Sequence, residues 1–145
     1  MIRNFTPSDM DSILAIEQEA FPKAPFSRSI FQDFYINENV TFLVFEKDSG
    51  ILGDMVFEKN GHAVTLAVAG KHRRSGIAAA LMKRALELIS GPFLFFEVRK
   101  SNLTAKELYR HLGAYKAMEK KGYYSSPSED AEIWVLSKSG KEALI

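Results

Sequence analysis

The residues Thr65-Leu66-Ala67-Val68-Ala69 run into a basic turn, Gly70-Lys71-His72-Arg73-Arg74-Ser75-Gly76, and then into Ile77-Ala78-Ala79-Ala80-Leu81-Met82. The first part is β-rich and apolar. In the last part Ile77, Leu81, Ala85 and Leu88 recur at helical spacing, with Ala78, Met82 and Ile89 beside them, until Gly91-Pro92 stops the pattern. The spacing therefore predicts a strand, a turn and an amphipathic helix in immediate succession. A helix that starts this way exposes unpaired backbone N–H groups and the positive end of its dipole, so a phosphate placed there is held by the main chain. Arg73 and Arg74 add charge, while Gly76 and Ala78 let the backbone come close. On its own the pattern is weakly specific, because basic turns with one glycine precede helices in many folds.

The segment after the helix constrains the fold further. Phe93-Leu94-Phe95-Phe96-Glu97-Val98 is apolar almost throughout, as expected of a strand buried on both faces, so a right-handed strand–helix–strand unit with parallel pairing is expected. Upstream, Ile2 to Phe5 reads as a strand. Thr6, Pro7 and Asp9 are favourable first-turn chemistry for a helix whose apolar face includes Ile13, Ile16 and Ala20. Pro22 and Pro25 end that helix, and Ser27 can cap a second one carrying Ile30, Phe31, Phe34 and Tyr35. Between them Phe21 to Phe26 is either a turn with aromatic core anchors or the wall of a cleft. Val40–Glu46, Ile51–Glu58 and His62–Val68 form a meander, with Asn60-Gly61 as a strong hairpin signal. Downstream, a helix from about Thr104 to His111 precedes strands near Ala114–Lys121 and Ala131–Leu136, separated by the segment Gly122 to Asp130. The last residues, about 138–145, carry little signal and are expected to fray.

Composition excludes several functions. The chain has 145 residues, 46% hydrophobic, which suits one domain over 1–145 with a real core. With 19 basic and 18 acidic residues there is no electrostatic footprint for nucleic acid or an anionic membrane, so the cluster at Lys71–Arg74 points to a small anion. No cysteine is present, which removes a thiol nucleophile and a cysteine zinc site, and His62, His72 and His111 show no metal-ligand spacing. No segment approaches the ~18 apolar residues of a membrane span, and no signal-peptide pattern opens the chain, so a cytoplasmic protein is expected.

Arg73-x-x-Gly76-x-Ala78 resembles the acetyl-CoA signature of the GNAT N-acetyltransferases. The resemblance then extends along nearly the whole chain. Ile16-Glu17, Phe21-Pro22, Glu97-Val98-Arg99-Lys100-Ser101-Asn102, Leu108-Tyr109, Leu112-Gly113, Gly122-Tyr123-Tyr124 and Glu129-Asp130-Ala131 are similar, in order, to motifs of the RimI and Ard1 type of protein N-terminal acetyltransferase. It implies an α/β GNAT fold: a central mixed sheet of about seven strands, partly splayed, with helices on both faces. It also implies acetyl-CoA as cosubstrate, with no metal. The acceptor would be a protein or peptide N-terminus, ribosomal proteins among the candidates. Backbone pairing to the pantetheine arm would fall on Leu66, Ala67 and Val68, and the phosphate loop on Arg73, Arg74, Ser75, Gly76, Ile77, Ala78 and Ala79. A cofactor-side role would fall on Asn102, the base on Glu97 and the proton donor on Tyr109. The peptide would meet Phe21 and Pro22 on one side and Tyr123 and Tyr124 on the other.

The residue types suit that chemistry. An amine attacks a thioester only when unprotonated, and the departing thiolate, with a parent pKa near ~8.5, needs a proton or hydrogen bond. A carboxylate acting through one water and a tyrosine hydroxyl meet the two needs. Read without the family, Glu97 is equally an ion-pair partner of Arg99, Tyr109 a core aromatic, Asn102 a helix cap, and Tyr123-Tyr124 a pair of packing strand residues. The chain departs from the pattern in three places. Lys23-Ala24-Pro25-Phe26 follows Phe21-Pro22 where relatives more often have a proline–tryptophan pair, Asp54 stands where an apolar residue is more usual, and His62 lies near a position that supplies a catalytic tyrosine in some eukaryotic relatives. The last makes His62 either a catalytic helper or a strand-edge residue, and Glu58 is, with His62 and solvent, an alternative acceptor for the amine proton. Acetylation of a small amine or internal lysine on the same fold, and a non-catalytic acyl-CoA-binding module, are the other functions compatible with the sequence.

Overall fold

Seven strands form two antiparallel sheets that touch at one point. In the computed structural model, which describes residues 1–138, the first sheet has the order β1 (Ile2–Asn4), β2 (Val40–Lys47), β3 (Gly50–Glu58), β4 (Ala63–Val68), and the second β5 (Phe93–Arg99), β7 (Ser128–Ser137), β6 (Tyr115–Ser125). Among the described residues the sheets join through one parallel bridge, His62 to Phe95. There the Phe95 N–H donates to Gly61 O at 2.9 Å. Beyond it β4 and β5 run on without a shared ladder, which leaves a cleft between them and replaces the expected parallel pair. β5 itself also departs from the doubly buried strand of the sequence reading. Leu94, Phe96 and Val98 are buried while Phe93, Phe95 and Glu97 are not, so this strand has one core face rather than two. Phe95 instead stacks on the His62 ring, centroids 5.1 Å apart.

Four helices cover the two faces of the sheets. On one face α1 (Met10–Ala20) and α2 (Arg28–Ile36) set Ile13 and Phe31 against Phe42, Val44 and Val56. On the other, α3 (Ile77–Leu88) sets Leu81, Met82 and Leu86 against Met55 and Phe57, and the same core continues through Leu94, Phe96, Trp134 and Leu136 of the second sheet. Each such buried Leu or Phe is worth about 1.5–3 kcal/mol of transfer free energy, and this core locks the two sheets together despite their sparse pairing. Leu88, placed on the stripe by spacing, is 44% exposed; Leu86 fills the core instead. Gly53 lets α3 sit close, since a Cβ there would lie 2.9 Å from Ile77 Cγ2. The last helix is α4 (Leu103–His111), capped by the Asn102 side chain, which accepts from the Ala105 N–H at 3.1 Å.

Local departures from the sequence reading have local causes. Thr6 and Pro7 open a 3₁₀ turn, Pro7–Asp9, before α1 begins at Met10. The Asp9 carboxylate takes the Thr6 N–H at 2.9 Å and both guanidinium NH groups of Arg3, at 2.8 and 2.9 Å, and so tightens the first turn. Gly122, Tyr123 and Tyr124 belong to β6 rather than to a loop. A bulge between Lys120 and Tyr124, with Gly122 at φ +63°, absorbs the irregularity and lets the strand continue to Ser125. The segment expected to fray lies outside the described residues apart from Lys138, whose N–H donates to Pro92 O at 2.9 Å. No described helix is long and apolar enough to cross a membrane.

Candidate active site

Several of the residues singled out in the sequence lie on or next to β4 and β5, where the two sheets part. Along one side, Leu66, Ala67 and Val68 pair with Met55, Asp54 and Gly53 of β3. Among the described residues their other edge meets no strand, so backbone donors and acceptors face the gap. The chain then turns through a 3₁₀ segment, Gly70–His72, which α1 anchors: the Gly70 N–H donates to the Glu19 carboxylate at 2.6 Å. The Ser75 hydroxyl closes the turn on His72 O. Arg74 and Gly76 both take left-handed conformations, φ +65° and +87°. Gly76 is the cap of α3, whose first helical bond runs from the Ala80 N–H to Gly76 O at 3.0 Å. The N–H groups of Ile77, Ala78 and Ala79 precede that bond and point out of the helix start. A Cβ at Gly76 would meet nothing within 4 Å. The glycine is therefore demanded by its backbone angle and by whatever occupies the space before it, not by packing. An open, cationic helix start of this kind fits a di-anionic phosphate group.

At the bridge between the sheets sits a line of titratable groups. His62 Nδ1 lies 3.1 Å from Glu58 Oε1, and its Nε2 lies 2.8 Å from Glu97 Oε2. Ionised carboxylates only accept, so the ring satisfies both when both nitrogens carry protons. The hydrogen bond to Glu97, opposed by burial and helped by Glu58, accordingly raises the His62 pKa above its ordinary 6.5. Burial pushes the Glu97 carboxyl the other way, but the His62 hydrogen bond and charge outweigh it and hold Glu97 below its ordinary 4.5. The Tyr123 phenol lies against Glu97; burial and that negative charge raise its pKa. Tyr124 is raised to about 12 by burial first and by Glu97 second, and its ring carries the Arg99 guanidinium at 4.1 Å. Tyr109, on the last turns of α4, packs its ring on Phe96 with centroids 4.3 Å apart. Burial, and then the neighbouring Tyr124, push its hydroxyl to about 12, so it is a donor at any physiological pH.

The third part is the loop between α1 and α2. Phe21 is half-buried and Pro22 exposed, while Phe26 packs edge-on against Phe31 and Phe34 at 6.0 and 5.7 Å. The loop thus divides the two readings of the sequence, with one aromatic anchored in the core and the Phe21-Pro22 end left outside it. Its anchor is Glu17, which accepts the Phe26 N–H at 3.1 Å and the Thr65 hydroxyl of β4 at 3.4 Å.

Residues 6–125 match the family model described as "Acetyltransferase (GNAT) domain". The chain belongs to the GNAT acetyltransferase family. It is 31% identical over 145 residues to an uncharacterized N-acetyltransferase of Methanocaldococcus jannaschii, covering 95% of this chain and 92% of that one. A putative [ribosomal protein bS18]-alanine N-acetyltransferase of Bacillus subtilis is 29% identical over 141 residues, 92% and 93% covered. Among solved structures, Ard1 from Thermoplasma volcanium superposes with a TM-score of 0.81 at 25% identity, covering 95% of this chain and 98% of that one. GNAT acetyltransferases use acetyl-CoA, and this GNAT chain presents what such a ligand requires: an unpaired strand edge for its amide arm and an open helix start for its phosphates. The GNAT chain also gathers Glu97, Tyr123 and Tyr124, with Tyr109 coupled through Tyr124. Asn102 spends its side-chain oxygen on the α4 cap. His62 and Glu58 are only alternative helpers in the sequence, although the Asn60-Gly61 turn between them, with Glu58 two residues before it and His62 directly after it, is the signal that sets them across a hairpin, where the Glu58 N–H donates to His62 O at 2.8 Å. The signal for the burial of Glu17 is its place on the α1 stripe, four residues after Ile13 and three before Ala20.

Proposed function

We propose that this GNAT protein transfers the acetyl group of acetyl-CoA directly to the α-amino group of a protein or peptide N-terminus within a ternary complex. The observation that carries the reading is the hydrogen-bonded line Glu58–His62–Glu97 at the point where the sheets part, with Tyr123 and Tyr124 beside it. At pH 7 roughly one α-amino group in seven is neutral, against roughly one lysine in 2,500, given pKa values near ~7.8 and ~10.4. A modest base therefore suffices for an N-terminus and falls well short for lysine. Glu97, held ionised by the hydrogen bond from His62, accepts the amine proton through water, while the imidazole, raised in pKa between its two carboxylate neighbours, holds the Glu97 charge in place.

Acetyl-CoA supplies the thioester carbonyl. Arg73, Arg74 and the backbone from Ser75 to Ala79 would hold its phosphates, and Leu66–Val68 its amide arm. Asn102 orders the start of α4, which carries Tyr109 to the cleft, and the Tyr109 hydroxyl donates to the departing sulfur. Phe21 and Pro22 would meet the first residues of the acceptor opposite Tyr123 and Tyr124. The name of the Bacillus subtilis relative, an alanine acetyltransferase of a ribosomal protein, supports an N-terminal acceptor and makes ribosomal proteins the first to try. The test is a competition of peptide N-termini, scanned over the first two residues, against lysine side chains and spermidine. The expected outcome is a higher kcat/KM for the peptides. A higher value for spermidine or for internal lysine would replace this reading with a small-amine or lysine acetyltransferase.

A further inference from the structure

Beneath the α1–α2 loop lie two carboxyl groups with no cation between them. Asp54 on β3 is 0% exposed, and neither of its oxygens has a hydrogen-bond partner. Glu17 on α1 is 2% exposed and accepts the Phe26 N–H and the Thr65 hydroxyl. The neighbours of Asp54 offer no compensation. Its register partners are Val44 on β2 and Ala67 on β4, and the charge that acts on it is that of Glu17. Of the other charged groups of these elements, Glu46 is engaged with Arg3, Asp11 with Arg28, Glu19 with the Gly70 N–H and Glu58 with His62, while Lys47 lies exposed at the far end of β2. Two ionised carboxylates cannot stay together in such a site, so one proton is held there. Two donors favour the charge on Glu17; none favours it on Asp54, which keeps the proton.

We propose that Glu17 is a positioning residue for the acceptor: it clamps the Phe21–Phe26 loop to β4 and so sets the wall against which the peptide binds. The inference rests on the reading that this loop meets the acceptor. Glu17 touches neither reacting group. It bridges the strand that would carry the acetyl donor's arm and the loop that would carry the peptide, so loss of the clamp should act on acceptor binding rather than on the chemical step. Ionisation of Asp54 would bring a second negative charge to the core and loosen the same clamp, which gives the loop an upper pH limit.

The test compares Glu17→Ala and Glu17→Gln by steady-state kinetics, with amide exchange at Phe26 read by NMR. Losing a charge-assisted hydrogen bond in Glu17→Ala should raise the peptide KM and the Phe26 exchange rate each about tenfold, with kcat and the acetyl-CoA KM within about twofold. Glu17→Gln keeps a carbonyl acceptor and should recover most of the loss. Unchanged exchange at Phe26, or an equal fall in every kinetic parameter, overturns the proposal. Faster exchange with an unchanged peptide KM instead removes the loop from the acceptor site and leaves the clamp standing, so the two failures are distinct. Asp54→Asn covers the case in which Glu17→Ala does not fold. An acid whose pKa is raised on folding binds more protons in the native state, so stability falls as pH rises above its ordinary 3.8. Wild type should lose more Tm over that rise than Asp54→Asn, which keeps only the contribution of Glu17, itself raised by burial; parallel Tm curves overturn the proton on Asp54.

Discussion

The two ends of the cleft are built on opposite principles. At the cradle the working groups are backbone: left-handed Arg74 and Gly76, the unpaired N–H groups of the first turn of α3, and a strand edge with no neighbour. At the bridge they are side chains, Glu58, His62, Glu97 and Tyr123, drawn from three strands and the turn between β3 and β4, and holding one another's charge. A site of backbone groups is contiguous in sequence and tolerant of the side chains it carries. A site of coupled side chains is dispersed, and each member's protonation depends on the rest. Damage should therefore appear as affinity at one end and as rate and pH dependence at the other.

The largest break is expected at Glu97. Glu97→Gln keeps the shape and can still meet the His62 ring, but it cannot take a proton, so kcat/KM should fall about 10³-fold near pH 7, within the 10²–10⁴ range of general base contributions. The loss should shrink as pH passes the amine pKa near ~8, because solvent then deprotonates the substrate. A pH–rate profile of kcat/KM with one peptide checks both; a variant that ran parallel to wild type at full rate would make Glu97 a structural partner of His62. Next is Tyr109→Phe, which keeps the packing on Phe96 and removes the donor. We expect kcat to fall about 10²-fold with acetyl-CoA affinity little changed, read by steady-state kinetics alongside calorimetric titration.

The same contrast explains what the sequence made legible. The strand, turn and helix of the cradle are one uninterrupted stretch with period, cap and glycine in view, and their boundaries fall where the pattern puts them. The bridge is a product of tertiary pairing. Nothing in Phe93–Val98 says that Phe95 will leave the core to stack on His62, so the strand reads as doubly buried when it has one core face. Glu97 was found by resemblance rather than by its surroundings. Gly122-Tyr123-Tyr124 looks like a loop because glycine and paired tyrosines break the alternation, and only pairing with β7 shows a bulge in a continuing strand. Asp54 is noticeable as a carboxylate in an apolar strand, but its burial beside Glu17 depends on where α1 lies. Local signals give elements; charge coupling between elements needs coordinates.

A smaller effect should come from the cradle. Gly76 holds φ +87° with open space in front, so a side chain there costs about 1–2 kcal/mol of left-handed strain and also enters the phosphate position. Gly76→Gln should weaken acetyl-CoA binding by at least about tenfold in calorimetric titration while leaving the Glu97 pH dependence unchanged. Equal affinity for variant and wild type would take the turn out of the binding site.

The smallest effect is on stability, and it isolates the bridge from catalysis. Glu97 is lowered below 4.5 on folding, so its contribution is present above that ordinary value and is lost as pH falls through the folded pKa; His62 is raised above 6.5, so its contribution is full below 6.5 and is lost as pH rises through the folded pKa. The two overlap between about 4.5 and 6.5, where the imidazolium and the Glu97 carboxylate are both charged. Their side chains are 25% and 16% exposed, sheltered enough for a charge-assisted hydrogen bond to count for about 1–2 kcal/mol. His62→Gln should therefore lower Tm by several degrees in that window and by progressively less as pH rises through the folded pKa of the ring. Thermal denaturation across pH measures it. The cradle has no counterpart to this curve, since its contacts are backbone; Gly76→Gln should shift Tm by the same amount at every pH, and a pH-dependent shift there would dissolve the contrast between the two ends.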